Sequence, residues 1–267
     1  MPVTRRGFTL VELTVSLMLG ALAATAAIRL LVGTRRLHDA ALARLDVQAN
    51  LRAGAAILAA QLRELATGAP PDGDLHAMAA TSVAYRAVRG LFRTCRPAVG
   101  STVLLDAAPL LGRRLPNPTQ DELTIYLPDE ERWALVDAVG LTVGTDCPGG
   151  RPSAAIQVNG VAPAVPAGAP VRAGRRFEVR LYRGGDGAWW IGGREFVRHT
   201  GTWAATQPVV GPVTPGGLLF TFFAADQSET ADPARVARIG VTLIMVDGDG
   251  GTASLTLSVA LRNRAQG

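Results

Sequence analysis

Few side chains in this 267-residue chain are able to do chemistry, and their spacing argues against most of what they might otherwise do. All 27 basic residues are arginine, so no lysine serves as a P-loop, Schiff-base or kinase-type cation. A net charge of +5 over this length is too mild to imply a nucleic-acid partner. His38, His76 and His199 lie far apart and match no zinc spacing. Asp247, Asp249 and Gly251 resemble the opening of a calcium loop, but the twelfth position from Asp247 is Ser258 where an EF-hand needs a bidentate Glu. Gly-x-Ser-x-Gly is absent, and Asp129, Glu130 and Glu131 fit a solvated turn better than paired acid–base catalysis. No cofactor is indicated. Trp189-Trp190, near Arg183 and Arg194, has the composition of a stacking surface for single-stranded DNA; strand alternation, however, sends one ring to the core and the other outward. Cys95 and Cys147 are either a disulfide, which an oxidising compartment permits, or two unpaired thiols.

One further charge stands out because of its setting. From Phe8 to Ile28 the single formal charge is Glu12, with Arg5 and Arg6 before the run and Arg29 after it. Twenty-one residues at about 1.5 Å each span roughly 31 Å, the thickness of the bilayer hydrocarbon. A secretory signal peptide ending near Ala23-Ala24-Thr25-Ala26-Ala27 and a plain single-pass anchor both fit the hydropathy. Neither accounts for a carboxylate that costs roughly 2.5 kcal/mol or more in a spanning helix.

Arg5-Arg6-Gly7-Phe8-Thr9-Leu10-Val11-Glu12-Leu13 resembles the class III signal of type IV pilins and type II secretion pseudopilins. The resemblance implies cleavage between Gly7 and Phe8 by a prepilin peptidase, N-methylation of Phe8, and retention of the apolar segment. It also implies an assembly role for Glu12, opposite the new amino terminus of a neighbouring subunit, since a paired buried carboxylate is tolerated where a lone one is not. The implied partners are the prepilin peptidase, other pilin or pseudopilin subunits, an inner-membrane assembly platform and the lipid bilayer. Arg5 and Arg6, with no acid nearby, place the N-terminus in the cytoplasm, so that the rest of the chain lies across the membrane; the expected location is the inner membrane with the head periplasmic, then the pilus or pseudopilus. A periplasmic head would permit a Cys95–Cys147 bridge. Softer similarities to larger minor pilins of the PilW type and to J-type pseudopilins occur at Gln48–Arg52, Tyr85–Gly90, Gly217–Asp226 and Leu257–Asn263. The glutamate argues against the large tip pseudopilin, which typically lacks it.

These groups need elements to position them. No proline falls between Pro2 and Pro70, and Leu51, Ala55, Leu58, Leu62 and Leu65 follow a 3-4-3 spacing that places them on one helix face. The expectation is one helix from about Phe8 to about Leu65, stopped by Thr67-Gly68-Ala69-Pro70-Pro71; two helices broken near Gly33 are the alternative. Beyond it, strands are expected at Thr81–Val88, Glu122–Leu127, Trp133–Asp137, Ala154–Val158, Arg176–Tyr182, Trp189–Gly192, Leu218–Phe223, Ile239–Val246 and Thr252–Leu261. Turns are expected at Asp186-Gly187 and Asp247–Gly251, and a loop at Pro163–Pro170. The fold class is α+β: leader 1–7, membrane-spanning half 8–31, amphipathic half 32–66, and an antiparallel β-rich head 67–267.

Overall fold

The computed structural model describes residues 10–68, 71, 73–112, 114–246 and 251–261. The leader, the Gly7–Phe8 processing site, Pro70, most of the Asp247–Gly251 turn and Arg262-Asn263 lie outside the described residues. Helix α1 (Leu10–Arg63) is followed by β1 (Leu75–Ala79), β2 (Ser82–Arg93), β3 (Thr102–Asp106), β4 (Glu122–Leu127), β5 (Arg132–Val136), β6 (Ala138–Cys147) and β7 (Arg151–Val158). Then come β8 (Pro170–Arg183), β9 (Trp189–Val197), β10 (Thr202–Trp203), β11 (Gln207–Phe223), β12 (Arg238–Val246) and β13 (Thr252–Ala260). One long N-terminal helix on a large antiparallel sheet is the α+β layout expected.

The helix runs unbroken through Gly33, so the two-helix alternative is excluded. Its 54 residues extend roughly 80 Å at about 1.5 Å per residue. Only its last third meets the head. Val47 is the first apolar side chain packed on the main core, and Leu51, Ala55, Leu58 and Leu62 complete the predicted stripe. Leu37, Leu42 and Leu45 stay exposed, so the head contact begins well beyond residue 32.

The main sheet is ordered β1-β2-β8-β9-β11-β12-β13, with β10 on β9 and the β4–β5 hairpin joined through β4 to β8. Its inner face supplies Val83 and Tyr85, Val179, Ile191, Leu218 and Phe220, and Ile239, Val241 and Leu243, which close over the helix stripe. A second sheet, β3-β7-β6, covers a separate core of Phe92, Val103, Leu105, Leu123, Ile125, Ile156 and Val171. The head is therefore two cores side by side, an arrangement that the strand pattern alone does not show.

Four strands lie outside the expected set: β1, β3, β6 and β10. In β6 the inward–outward alternation is lost, because its register against β7 shifts at both ends. Strand β11 is far longer than the Leu218–Phe223 stretch expected, taking in Pro208, Pro212 and Pro215. Pro212 and Pro215 fall where the pairing with β9 and β12 is interrupted, the places in a sheet at which a missing N–H costs no ladder bond, and Pro208, paired with Gly192, borders the first interruption. The Asp186-Gly187 turn forms between β8 and β9, with Gly187 at φ 80°, in the left-handed region glycine occupies without strain.

Candidate functional site: the stalk and its joint to the head

All side chains from Leu10 to Asp39 are exposed, Leu30 at 70% and Met18 at 71%. This is one helix long and apolar enough to cross a membrane, with none of its apolar window buried in the fold. Water does not stabilise a surface of this kind; lipid or other apolar helices do. The hydroxyls along it are satisfied internally: Thr14, Ser16, Thr25 and Thr34 donate to carbonyls three or four residues back, at 2.7 to 2.9 Å. A backbone and side-chain set with its hydrogen bonds closed suits hydrocarbon. Glu12 sits in the first turn of the described helix, where a carboxylate complements the dipole. Arg29, Arg35 and Arg36 flank the head side of the run as Arg5 and Arg6 flank the other, so charge alone does not orient the span.

At the other end the helix is locked to the head by an ion pair almost fully removed from water. Asp74 accepts from the Ala66 amide at 2.8 Å and from Arg86 Nε at 3.0 Å. Arg86 in turn donates to the Pro71 and Gly73 carbonyls at 2.7 and 2.8 Å. Every polar atom of the pair's contact has a partner, the condition under which a buried pair holds. Tyr85 beside it donates to Gln61 Oε1 at 2.6 Å, and burial pushes its phenol well above the usual range. Further along, Gly54 meets Val210 so closely that a Cβ has no room without moving it. The head end of the helix is therefore held at both Gly54 and Ala66.

The two cysteines form a disulfide, Cys95 just after β2 and Cys147 at the end of β6. It staples the three-stranded sheet to the main one. Nearby, Asp106 receives Arg151 Nη1 at 2.6 Å.

The remaining sequence candidates are not brought together. His38 is exposed on the stalk, and His199 is exposed in the turn after β9. His76 is half-buried in β1, where desolvation, then Arg176 and Arg86, push its pKa down to about 4 although Glu122 lies 4.0 Å away. Among the described residues no group of three His, Cys, Asp or Glu gathers to hold a metal. Asp129, Glu130 and Glu131 are exposed in a short turn, and Glu130 pairs with Arg132. Trp189 packs on the main core, while Trp190 lies across from Tyr182 and its indole N–H reaches Asp186 at 3.3 Å. Neither Trp190 nor Arg194, which is paired with Glu178, stands open. A second charged cluster joins Arg175 to Asp121 and Glu195. Burial raises Glu195, but hydrogen bonds and charge from Arg175 and Arg89 outweigh it and hold the carboxyl below its ordinary range. The cluster ties neighbouring strands and needs no catalytic reading.

The Asp74–Arg86 lock has no local sequence signature, because its partners are twelve residues apart across a turn. What the sequence does carry is matched elsewhere: residues 4–28 fit the prokaryotic N-terminal methylation motif, a type IV pilin-like motif. Neither a curated protein nor a solved structure matches the chain.

Proposed function

We propose that this chain is a minor pilin or pseudopilin: a prepilin cleaved between Gly7 and Phe8, methylated on Phe8, and drawn from the inner membrane into a type IV pilus or type II secretion pseudopilus. The observation that supports this most strongly is the coincidence of the methylation motif at residues 4–28 with an unbroken helix whose first thirty described residues bury nothing. The described chemistry favours a structural subunit over an enzyme. In this reading the stalk passes from lipid to a bundle of like stalks, Glu12 pairs with a neighbour's freed amine, and the periplasmic head makes the lateral or tip contacts that help to initiate the filament. The head size and the softer similarities support the PilW- or J-type subclass.

A second reading, a tip-borne binding module, has its support in the outward sheet face, where Phe196 and Trp203 lie edge to face beside Arg176 and Arg194. The two separate by phenotype. Glu12→Ala is expected to leave the protein membrane-inserted and folded but absent from sheared filaments or pseudopili. Incorporation equal to that of the parent chain would contradict the assembly role.

A further inference from the structure

The edges of the two sheets are treated very differently. Natural sheets blunt an exposed edge with charge, proline, bulges or shortness. Strand β1 has five residues and a register shift; β5 has five and opens with Arg132. On β6 the register shifts twice, Asp146 lies within it, and Arg198 donates to the Ala138 carbonyl at 3.0 Å. Strand β13 has none of these devices. Its nine residues, Thr252 to Ala260, contain no charge, proline or glycine, and they pair with β12 in unbroken register from Val246↔Thr252 to Arg238↔Ala260. Among the described residues nothing pairs with its outer side.

The core is also unfinished there. Ile239, Val241, Leu243 and Met245 of β12 are fully buried. Across from them Ala253, Leu255 and Leu257 of β13 pack on the same core yet remain only partly covered. Thr252, Ser254, Thr256 and Ser258 point the other way as a row of exposed hydroxyls. Helix α1 lies over this end of the sheet, packed on β11, β12 and β13.

We infer that the outer edge of β13 is a site of strand addition, filled by an extended, uncharged segment of a different subunit with apolar residues at alternate positions. Backbone groups give such a site its affinity, and the alternate side chains its selectivity. The occupant is not a second copy of this strand in antiparallel pairing, the arrangement this sheet uses throughout. Antiparallel pairing of two β13 edges sets a two-fold axis perpendicular to the sheet, which turns two helices lying on those sheets in opposite directions. Two stalks in one bilayer must point the same way. This choice of occupant rests on the proposed reading of α1 as a membrane stalk.

The test uses the full-length protein in nanodiscs and a synthetic peptide, acetyl-Thr-Val-Ser-Leu-Thr-Val-Ser-amide, read by residue-resolved hydrogen exchange. The alternate amides of β13 that face outward exchange freely without peptide and slow by about tenfold or more at millimolar peptide. The doubly substituted Ser254→Lys, Ser258→Lys protein keeps its melting temperature and insertion and shows no slowing. A peptide N-methylated at alternate residues has no effect on the parent protein. Absence of slowing, or equal slowing in the lysine variant, overturns strand addition and leaves the stalk reading intact. Peptide-free dimerisation with β13 protected overturns the choice of occupant and counts against the stalk reading as well.

Discussion

Leu19 and Leu58 are the same residue in the same unbroken helix, yet one is 61% exposed and the other 1%. Helix propensity does not distinguish them; what lies opposite does. The segment around Leu58 meets its sheet within this molecule and is complete. The segment around Leu19 presents an apolar surface that nothing among the described residues covers. One element thus carries two kinds of information: the head half specifies a fold, and the stalk half, on the proposed reading, an assembly.

That contrast can be broken most severely at the joint. Arg86→Ala leaves Asp74 buried and unpaired and is expected to cost the head about 3 to 5 kcal/mol in urea unfolding, with membrane insertion of the stalk unchanged. Reduction of Cys95–Cys147 opens a bridge between residues 52 apart and is expected to remove about 4 kcal/mol on the chain-entropy account. Exchange should rise first in β3, β6 and β7. Intact mass with and without reductant reports the bridge itself as a two-proton difference. Leu58→Ala should cost roughly 2 to 5 kcal/mol, while Leu19→Ala in detergent should leave the head's melting temperature unchanged. Equal effects at the two positions would dissolve the comparison.

The smallest expected effect is on pH dependence. His76 titrates near 4 in the folded head against 6.5 ordinarily, so between these values the unfolded chain binds more protons. Its contribution is full above pH 6.5 and is lost as pH falls toward 4, about 1 to 2 kcal/mol after allowance for solvent screening. His76→Gln should flatten that part of the stability curve.

Much of this was legible in the residues, and the physical reason differs by region. The stripe from Leu51 to Leu65 is local, repeating every three or four residues, and it buries as its spacing requires. The motif at the N-terminus is equally local. Strands with clean alternation, such as β12 and β13, were visible for the same reason. Strand β6 was not, because register shifts break its period, and the first part of β11 was not, because its three prolines read as loop until the register shifts beside them are seen. The division of the head into two cores and the Asp74–Arg86 lock depend on contacts between segments distant along the chain. No window on the sequence holds them together.

Mass spectrometry of the N-terminus of membrane-extracted protein tests the central claim most directly. Retention of the stalk for assembly predicts a chain that starts at Phe8, carries one methyl group on its amine, and remains in the membrane fraction. A freely soluble head that begins among the alanines between residues 23 and 27 would contradict it.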